Sequence, residues 1–267
     1  MIVTFTHHDG GLGVPLGAGP HSCGRLVRVA DECGVTQFGY DALGRPAEKR
    51  WRPAHVAVEY RLDVTRRADG RVSEVSYPDA GDGRLTVHHQ YDEVGRLVSV
   101  PGFVDAVGYD VSGRRTAVHY ANGVSEHWAG GRHVVTGPGG LVREIAPGAG
   151  PTAVPGPGSE IRDAFGRLRG VHGDDGVNAL YSYDHTGRRV RTLVTNGSHI
   201  HEVLTPDDRY VIEDGELVVV VADAVRRYAD GRTRYLHFDD EGGIALVTDE
   251  TGAVVDDVSR VRPGPAG

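Results

Sequence analysis

The sequence predicts an all-β chain, a tandem series of antiparallel hairpins, on three observations. A short motif, Tyr-Asp-x-x-Gly-Arg, recurs in four full copies: Tyr40-Asp41-Ala42-Leu43-Gly44-Arg45, Tyr91-Asp92-Glu93-Val94-Gly95-Arg96, Tyr109-Asp110-Val111-Ser112-Gly113-Arg114 and Tyr183-Asp184-His185-Thr186-Gly187-Arg188. Glycine makes up 39 of 267 residues, about twice its usual share, so the backbone repeatedly needs a residue that tolerates positive φ. Helical spacing of apolar residues is nearly absent, and Gly or Pro interrupts almost every candidate window.

Each copy of the motif has a local physical reading. Asp opens a turn by accepting backbone N–H groups two or more residues on, and Gly closes it at φ > 0. The residues that follow alternate with period 2, as in Gly95-Arg96-Leu97-Val98-Ser99-Val100 and Gly187-Arg188-Arg189-Val190-Arg191-Thr192-Leu193, which marks a strand with one buried face. Tyr before the Asp ends the preceding strand, its ring packed and its hydroxyl expected near water. Degenerate copies stand at Asp31-Glu32-Cys33-Gly34, Asp163-Ala164-Phe165-Gly166-Arg167, Asp239-Asp240-Glu241-Gly242 and Asp249-Glu250-Thr251-Gly252. Further turns are expected at Asp69-Gly70-Arg71, Asp82-Gly83-Arg84 and Asn122-Gly123. The spacing suggests a unit of about 20 residues.

Taken in chain order, residues 1–23 read as an N-terminal Gly-rich loop region, with five Gly and two Pro between Gly10 and Pro20. Residues 24–136 form a first hairpin array. Residues 137–158 carry seven Gly and five Pro, a linker or insertion in which only Leu141 to Ile145 reads as a strand. Residues 159–256 form a second array, and 257–267 a frayed tail.

Composition excludes several classes of function. The longest apolar run, Leu217 to Ala222, suits a short buried strand and falls far below the ~18 residues of a membrane span. The N-terminus lacks the basic and apolar regions of a secretory leader. Net charge is −8, which disfavours nucleic acid because no basic stripe is available. Positive charge is almost all Arg, Lys49 being the single lysine. Cys23 and Cys33 flank a continuous strand, so two free thiols, buried or half-buried, are expected over a disulfide.

Chemistry-bearing motifs are sparse. Gly17-Ala18-Gly19-Pro20-His21-Ser22 lacks the strand and helix of a dinucleotide site. His7-His8, His88-His89 and the same-face pair His199 and His201 offer no third metal ligand. The acidic groups at Asp239 to Glu241 and Asp249-Glu250 are accounted for by turn chemistry. Asn196-Gly197-Ser198 reads as a hairpin turn. No catalytic, cofactor or metal residues are assigned. Trp51, Trp128 and 11 Tyr form either cross-strand packing pairs or a carbohydrate-stacking surface.

The motif resembles the YD repeats of the Rhs family, of the B and C components of insecticidal toxin complexes, and of the teneurin shell. Gly24 to Arg45 is similar to the repeat-bearing middle of toxin-complex B/C chains, and Tyr77-Pro78-Asp79 and Tyr120-Ala121-Asn122-Gly123 to that family's strand-ending turns. Tyr235 to Val255 is similar to the segment that opens the Rhs-associated core. The resemblance covers about residues 24–136 and 160–256 and implies a curved, open strip of antiparallel sheet, one section of an Rhs-type shell that encapsulates or displays a toxin polypeptide. It implies secretion or cell-surface display by a route without a leader, and as partner another YD-repeat polypeptide or a toxin cargo. No stretch matches the family's catalytic Asp region, so autoproteolysis and toxicity are not carried over. A non-enzymatic structural module, either a fragment or one part of a split assembly, is the leading expectation. A cell-surface adhesion or carbohydrate-binding module and a non-functional remnant of a larger toxin gene are the alternatives.

Overall fold

The computed structural model describes residues 3–7, 21–81, 83–146, 158–173 and 176–257. The N-terminal loop reading at 10–20, most of the linker at 147–157 and the tail at 258–267 lie outside them. The described residues are all-β: twenty-five strands and a three-residue 3-10 turn at Pro138–Gly140.

Strand order within each sheet follows chain order. Seven strands run from Thr4–His7 to Arg84–His88, five from Val104–Tyr109 to Leu141–Ile145, and eleven from Gly158–Arg162 to Val254–Asp257. Gln90–Tyr91 and Leu97–Ser99 form a fourth, two-stranded sheet. Neighbours pair antiparallel, as Gly34–Tyr40 does with Pro46–Pro53, because a tight turn can only return the chain beside the strand it has just left. No sheet closes on itself.

The chain divides into two compact units, each drawn from two stretches of sequence. The first comprises Met1–Thr86 with Pro155–Val218. Alternation buries one face of its strands: in Tyr60–Arg66, Tyr60 and Leu62 are buried while Arg61 between them is exposed. Cross-strand partners Trp51 and Tyr60 stack with centroids 5.9 Å apart, and Tyr60 meets Tyr210 at 6.1 Å. These rings, with Val27, Val29, Val75, Leu204 and Ile212, make an apolar core. The chain's single lysine, Lys49, donates to the buried Asp207 Oδ2 at 3.1 Å.

The second unit comprises Val87–Val154 with Val219–Gly267. Val100, Val104, Val118, Val124, Val135, Val225 and Leu246 form its apolar core, but Glu126, His133, His237 and Thr248 are buried among them. The apolar run from Leu217 lies in strand Glu216–Val221, whose residues up to Val218 belong to the first unit and from Val219 to the second; Leu217, Val218 and Val219 are consecutively buried. A strand covered on both faces needs no alternation. Cys33 is buried and free, and burial pushes its thiol up to about 12; Cys23 is free but exposed, against the expectation of a buried or half-buried thiol.

Candidate functional site

Ten turns among the described residues share one geometry. The N–H of residue i donates to the carbonyl of i+4, and the N–H of Gly at i+3 donates to the carbonyl of i, with i at 41, 67, 92, 110, 120, 163, 184, 228, 239 and 249. This is a three-residue hairpin loop in which a type I turn is followed by a left-handed residue that makes a bulge. The glycine φ values fit: +75° at Gly44, +83° at Gly95 and Gly113, +77° at Gly166, +87° at Gly187 and +81° at Gly242 and Gly252.

Seven of the ten turns carry Asp at i, and one carboxylate oxygen serves two backbone donors. Asp41 Oδ1 accepts from Leu43 N at 3.0 Å and Arg45 N at 2.9 Å. Asp92, Asp110, Asp163, Asp184, Asp239 and Asp249 repeat the pair. The second oxygen takes Arg Nε at 2.7 Å in Asp41–Arg45, Asp92–Arg96 and Asp163–Arg167. Arg114 and Arg188 donate their backbone N–H in the same way, while the Arg188 side chain reaches Asp208 at 2.7 Å. The backbone N–H of Arg45 holds the Asp41 carboxyl below the usual range, that of Arg96 does so for Asp92, and the hydroxyls of Ser112 and Thr251 lower Asp110 and Asp249. In the other three turns the acceptor sits at i+2: Asp69, Asn122 and Asp230 take the N–H of Arg71, Val124 and Arg232. The Asp/Asn-Gly pair is the signal that finds this second form.

Tyr and Arg of the motif join consecutive units. Tyr40, Tyr109 and Tyr183 donate their hydroxyls to the carbonyls of Leu26, Leu97 and Leu168 at 2.6, 2.7 and 2.6 Å. The sequence-based expectation of a water-facing hydroxyl is thereby corrected: each phenol is spent on the strand that leaves an earlier turn. The arginine beside each of those leucines covers the same ring, Arg25 over Tyr40 at 5.4 Å and Arg96 over Tyr109 and Arg167 over Tyr183 at 4.8 Å. A side chain on Gly44 would push the Arg25 guanidinium aside, and the φ of +75° is what holds that position to glycine. Tyr91 pairs with Leu97 across its own turn.

The second unit holds a polar cluster that no motif announced. Glu126 Oε1 accepts from Tyr120 Oη at 2.8 Å and faces His237 Nδ1 at 2.6 Å, while Oε2 faces His133 Nε2 at 2.9 Å. His237 Nε2 lies 3.1 Å from Thr248 Oγ1, which accepts from Asn122 Nδ2 at 3.1 Å. Asn122 Nδ2 also donates to the carbonyl of Asp249 at 2.7 Å. Side-chain exposure is 5% for Glu126 and His133 and 0% for His237. Burial alone would raise the Glu126 carboxyl, but the donors from His133, His237 and Tyr120 outweigh it and hold it down to about 2; burial and that carboxylate push the Tyr120 phenol up. The order Thr248, His237, Glu126 has the connectivity of a nucleophile, a base and an orienting acid. All three groups are enclosed, and Thr248 already serves Asn122, so the arrangement ties two stretches of chain together. Only Tyr120 and Asn122, as a turn, and Tyr235 to Val255, as a segment, were marked in the sequence.

Trp51 is buried against Tyr60. Trp128 has His133 stacked on its ring at 4.5 Å and Arg115 over it at 4.8 Å. Trp51 is thus closed off by its own chain, while Trp128 is half-buried with these two contacts on its ring. No group of three or more His, Cys, Asp or Glu side chains is arranged to hold a metal ion among the described residues, and His201 is engaged with Asp214 at 2.8 Å. A cleft of about 260 Å³ in the first unit is lined by Lys49, Trp51, Phe38, Asp184, His185 and neighbours.

No protein-family model matches the chain, and no curated protein matches it in sequence. Solved structures do. A chain of the TcdB2-TccC3 crystal structure superposes with a TM-score of 0.68 at 12% identity, over 88% of this chain and 21% of its own length. A chain of the TcdB2-TccC3-TEV crystal structure gives 0.67 at 12% identity, over 89% and 20%. The chain shares its fold with TcdB2-TccC3. It spans about a fifth of the length of those chains, so what they have in common with it is the strip of consecutive antiparallel hairpins.

Proposed function

We propose that this chain is a non-enzymatic structural module, a wall section of a toxin-complex-type shell that encapsulates or displays a toxin polypeptide. One observation carries the reading: nearly the whole chain superposes on about a fifth of a much longer TcdB2-TccC3 chain. The internal architecture supports it. Strand order equals chain order, and repeated use of one turn geometry, tied unit to unit by Tyr hydroxyls and Arg guanidinium groups, builds a strip that extends by adding hairpins. In this reading residues 24–136 and 159–256 are two parts of the wall joined through 137–158, and Asp41, Asp92, Asp110, Asp163, Asp184, Asp239 and Asp249 are its structural turns. The partner is another repeat-bearing polypeptide that pairs with a free strand edge, because an open sheet leaves unpaired N–H and C=O groups at its ends. Light scattering, and pull-down with a second YD-repeat polypeptide, test this: a stable complex is expected, and a protein that stays monomeric at high concentration and binds no such polypeptide rules it out.

A further inference from the structure

The chain has three asparagines, Asn122, Asn178 and Asn196, and the first and last of them precede glycine. In Asn-Gly the backbone nitrogen that follows can reach the side-chain carboxamide, because glycine has no Cβ to shield that nitrogen or to restrict its dihedrals. The fold treats the two pairs in opposite ways. Asn122 is buried and its carboxamide is engaged at both ends: Oδ1 accepts from Val124 N at 3.1 Å, and Nδ2 donates to Thr248 Oγ1 at 3.1 Å and to the carbonyl of Asp249 at 2.7 Å. The amide that would attack it, Gly123 N–H, donates to the carbonyl of Tyr120 at 3.0 Å. Both reactants are held, and releasing them means opening the core of the second unit.

Asn196 ends strand Arg189–Asn196, and Gly197-Ser198 is a two-residue loop leading into His199–Asp207, with Asn196 opposite His199. Gly197 takes the first loop position at φ +57°, the residue and the position that a type II′ turn requires. Asn196, Gly197, Ser198 and His199 are all exposed. A Cβ on Gly197 would meet nothing within 4 Å, and neither the Asn196 carboxamide nor the Gly197 N–H has a hydrogen-bond partner among the described residues. Opening one cross-strand pair at the tip of a hairpin is enough to free them. We propose that Asn196 is a self-modification site, converted to aspartate and isoaspartate through a cyclic imide formed with Gly197, and that the fold withholds the same reaction from Asn122. Gly197 N attacks Asn196 Cγ; the new C–N bond forms as the bond from Cγ to Nδ2 breaks, and the Gly197 amide proton leaves with the amine as ammonia. Water then adds to one of the two imide carbonyls and breaks its C–N bond, returning a proton to nitrogen: cleavage at Cγ gives aspartate, cleavage at the backbone carbonyl gives isoaspartate. No oxidant or reductant is needed. Isoaspartate routes the main chain through the former side-chain methylene, which lengthens a loop built for two residues and strains the pairs Asn196–His199 and Thr195–Ile200 beside it.

Ageing the full chain in mildly alkaline buffer made with heavy-oxygen water, then digesting it in ordinary water for mass spectrometry, tests the site. The Asn196 peptide is expected to exchange its amide for a heavy-oxygen carboxyl and to split into two chromatographic forms, at least about tenfold faster than the Asn122 peptide, because hairpin tips open far more often than core strands. In denaturant the two peptides are expected to react at similar rates. Asn196→Gln, whose longer carboxamide closes a ring poorly, is expected to remove heavy-oxygen uptake from that peptide. An Asn196 that stays intact in the folded chain, or an Asn122 that keeps pace with it, overturns the proposal. So does a difference that persists in denaturant, since neighbouring sequence and not the fold would then set it, or uptake that survives in the Gln variant.

Discussion

The two units use the same turns and fill their interiors in opposite ways. The first buries Trp51, Tyr60 and Tyr210 in a row, keeps charged contacts such as Glu32–Arg169 half-exposed, and buries one carboxylate, Asp207, against Lys49. The second places a carboxylate and two imidazoles in its core and satisfies them with Tyr120, Thr248 and Asn122. Turn chemistry sets where hairpins reverse; it leaves open what the strands between them bury. Apolar contact is tolerant of geometry and indifferent to pH, whereas a buried polar network stabilises only while every partner is present and in one protonation state.

Substitutions can break this contrast. The largest effects are expected at the two centres. Trp51→Ala, which empties the aromatic row, is expected to cost about 3–5 kcal/mol in denaturant unfolding, with little dependence on pH. Glu126→Ala is expected to cost a similar amount, about 3–5 kcal/mol, by stranding three buried donors. If Glu126→Ala costs less than about 1 kcal/mol, the polar core is not what holds the second unit. A pH series sharpens the comparison. The folded carboxyl of Glu126 titrates below its unfolded value, so its contribution is complete above about pH 4.5 and is lost as pH falls toward about 2. Acid unfolding of Glu126→Gln is expected to lack that phase, and Trp51→Ala to retain it.

Smaller effects test the shared turns. Gly44→Ala forces a side chain into φ +75° and against Arg25 and is expected to cost about 1–2 kcal/mol or more by thermal unfolding. Tyr109→Phe removes one hydroxyl bond to Leu97 while keeping the ring under Arg96, with an expected loss of about 0.5–1.5 kcal/mol. If that substitution is neutral while Gly44→Ala is not, the links between units matter less than the turns themselves.

Much of this architecture was legible in the residues. Tyr-Asp-x-x-Gly-Arg names its own acceptor, its left-handed position and its ring, all within a few residues, and Leu141 to Ile145 stood out as a strand within a Gly/Pro-rich stretch and is one. The Tyr hydroxyl was misplaced because its acceptor lies 12 to 15 residues back, beyond the turn that the motif describes. The turn at 67 was announced by Asp69-Gly70-Arg71 although its acceptor has moved two places along, and the turn at 228 keeps the same backbone geometry with its acceptor at Asp230.

The sequence by itself determined the all-β class, the hairpin reversals and the need for glycine, because each follows from contacts within about five residues and from the sterics of a single φ angle. Only the tertiary structure decided that Glu126 would meet His237 across 111 positions and that Asn122 would reach Thr248 across 126. A histidine in a strand carries no local mark of the carboxylate it will face. That pairing is fixed when separate stretches pack and each buried polar atom must find a partner or lose the hydrogen bonds it made to water.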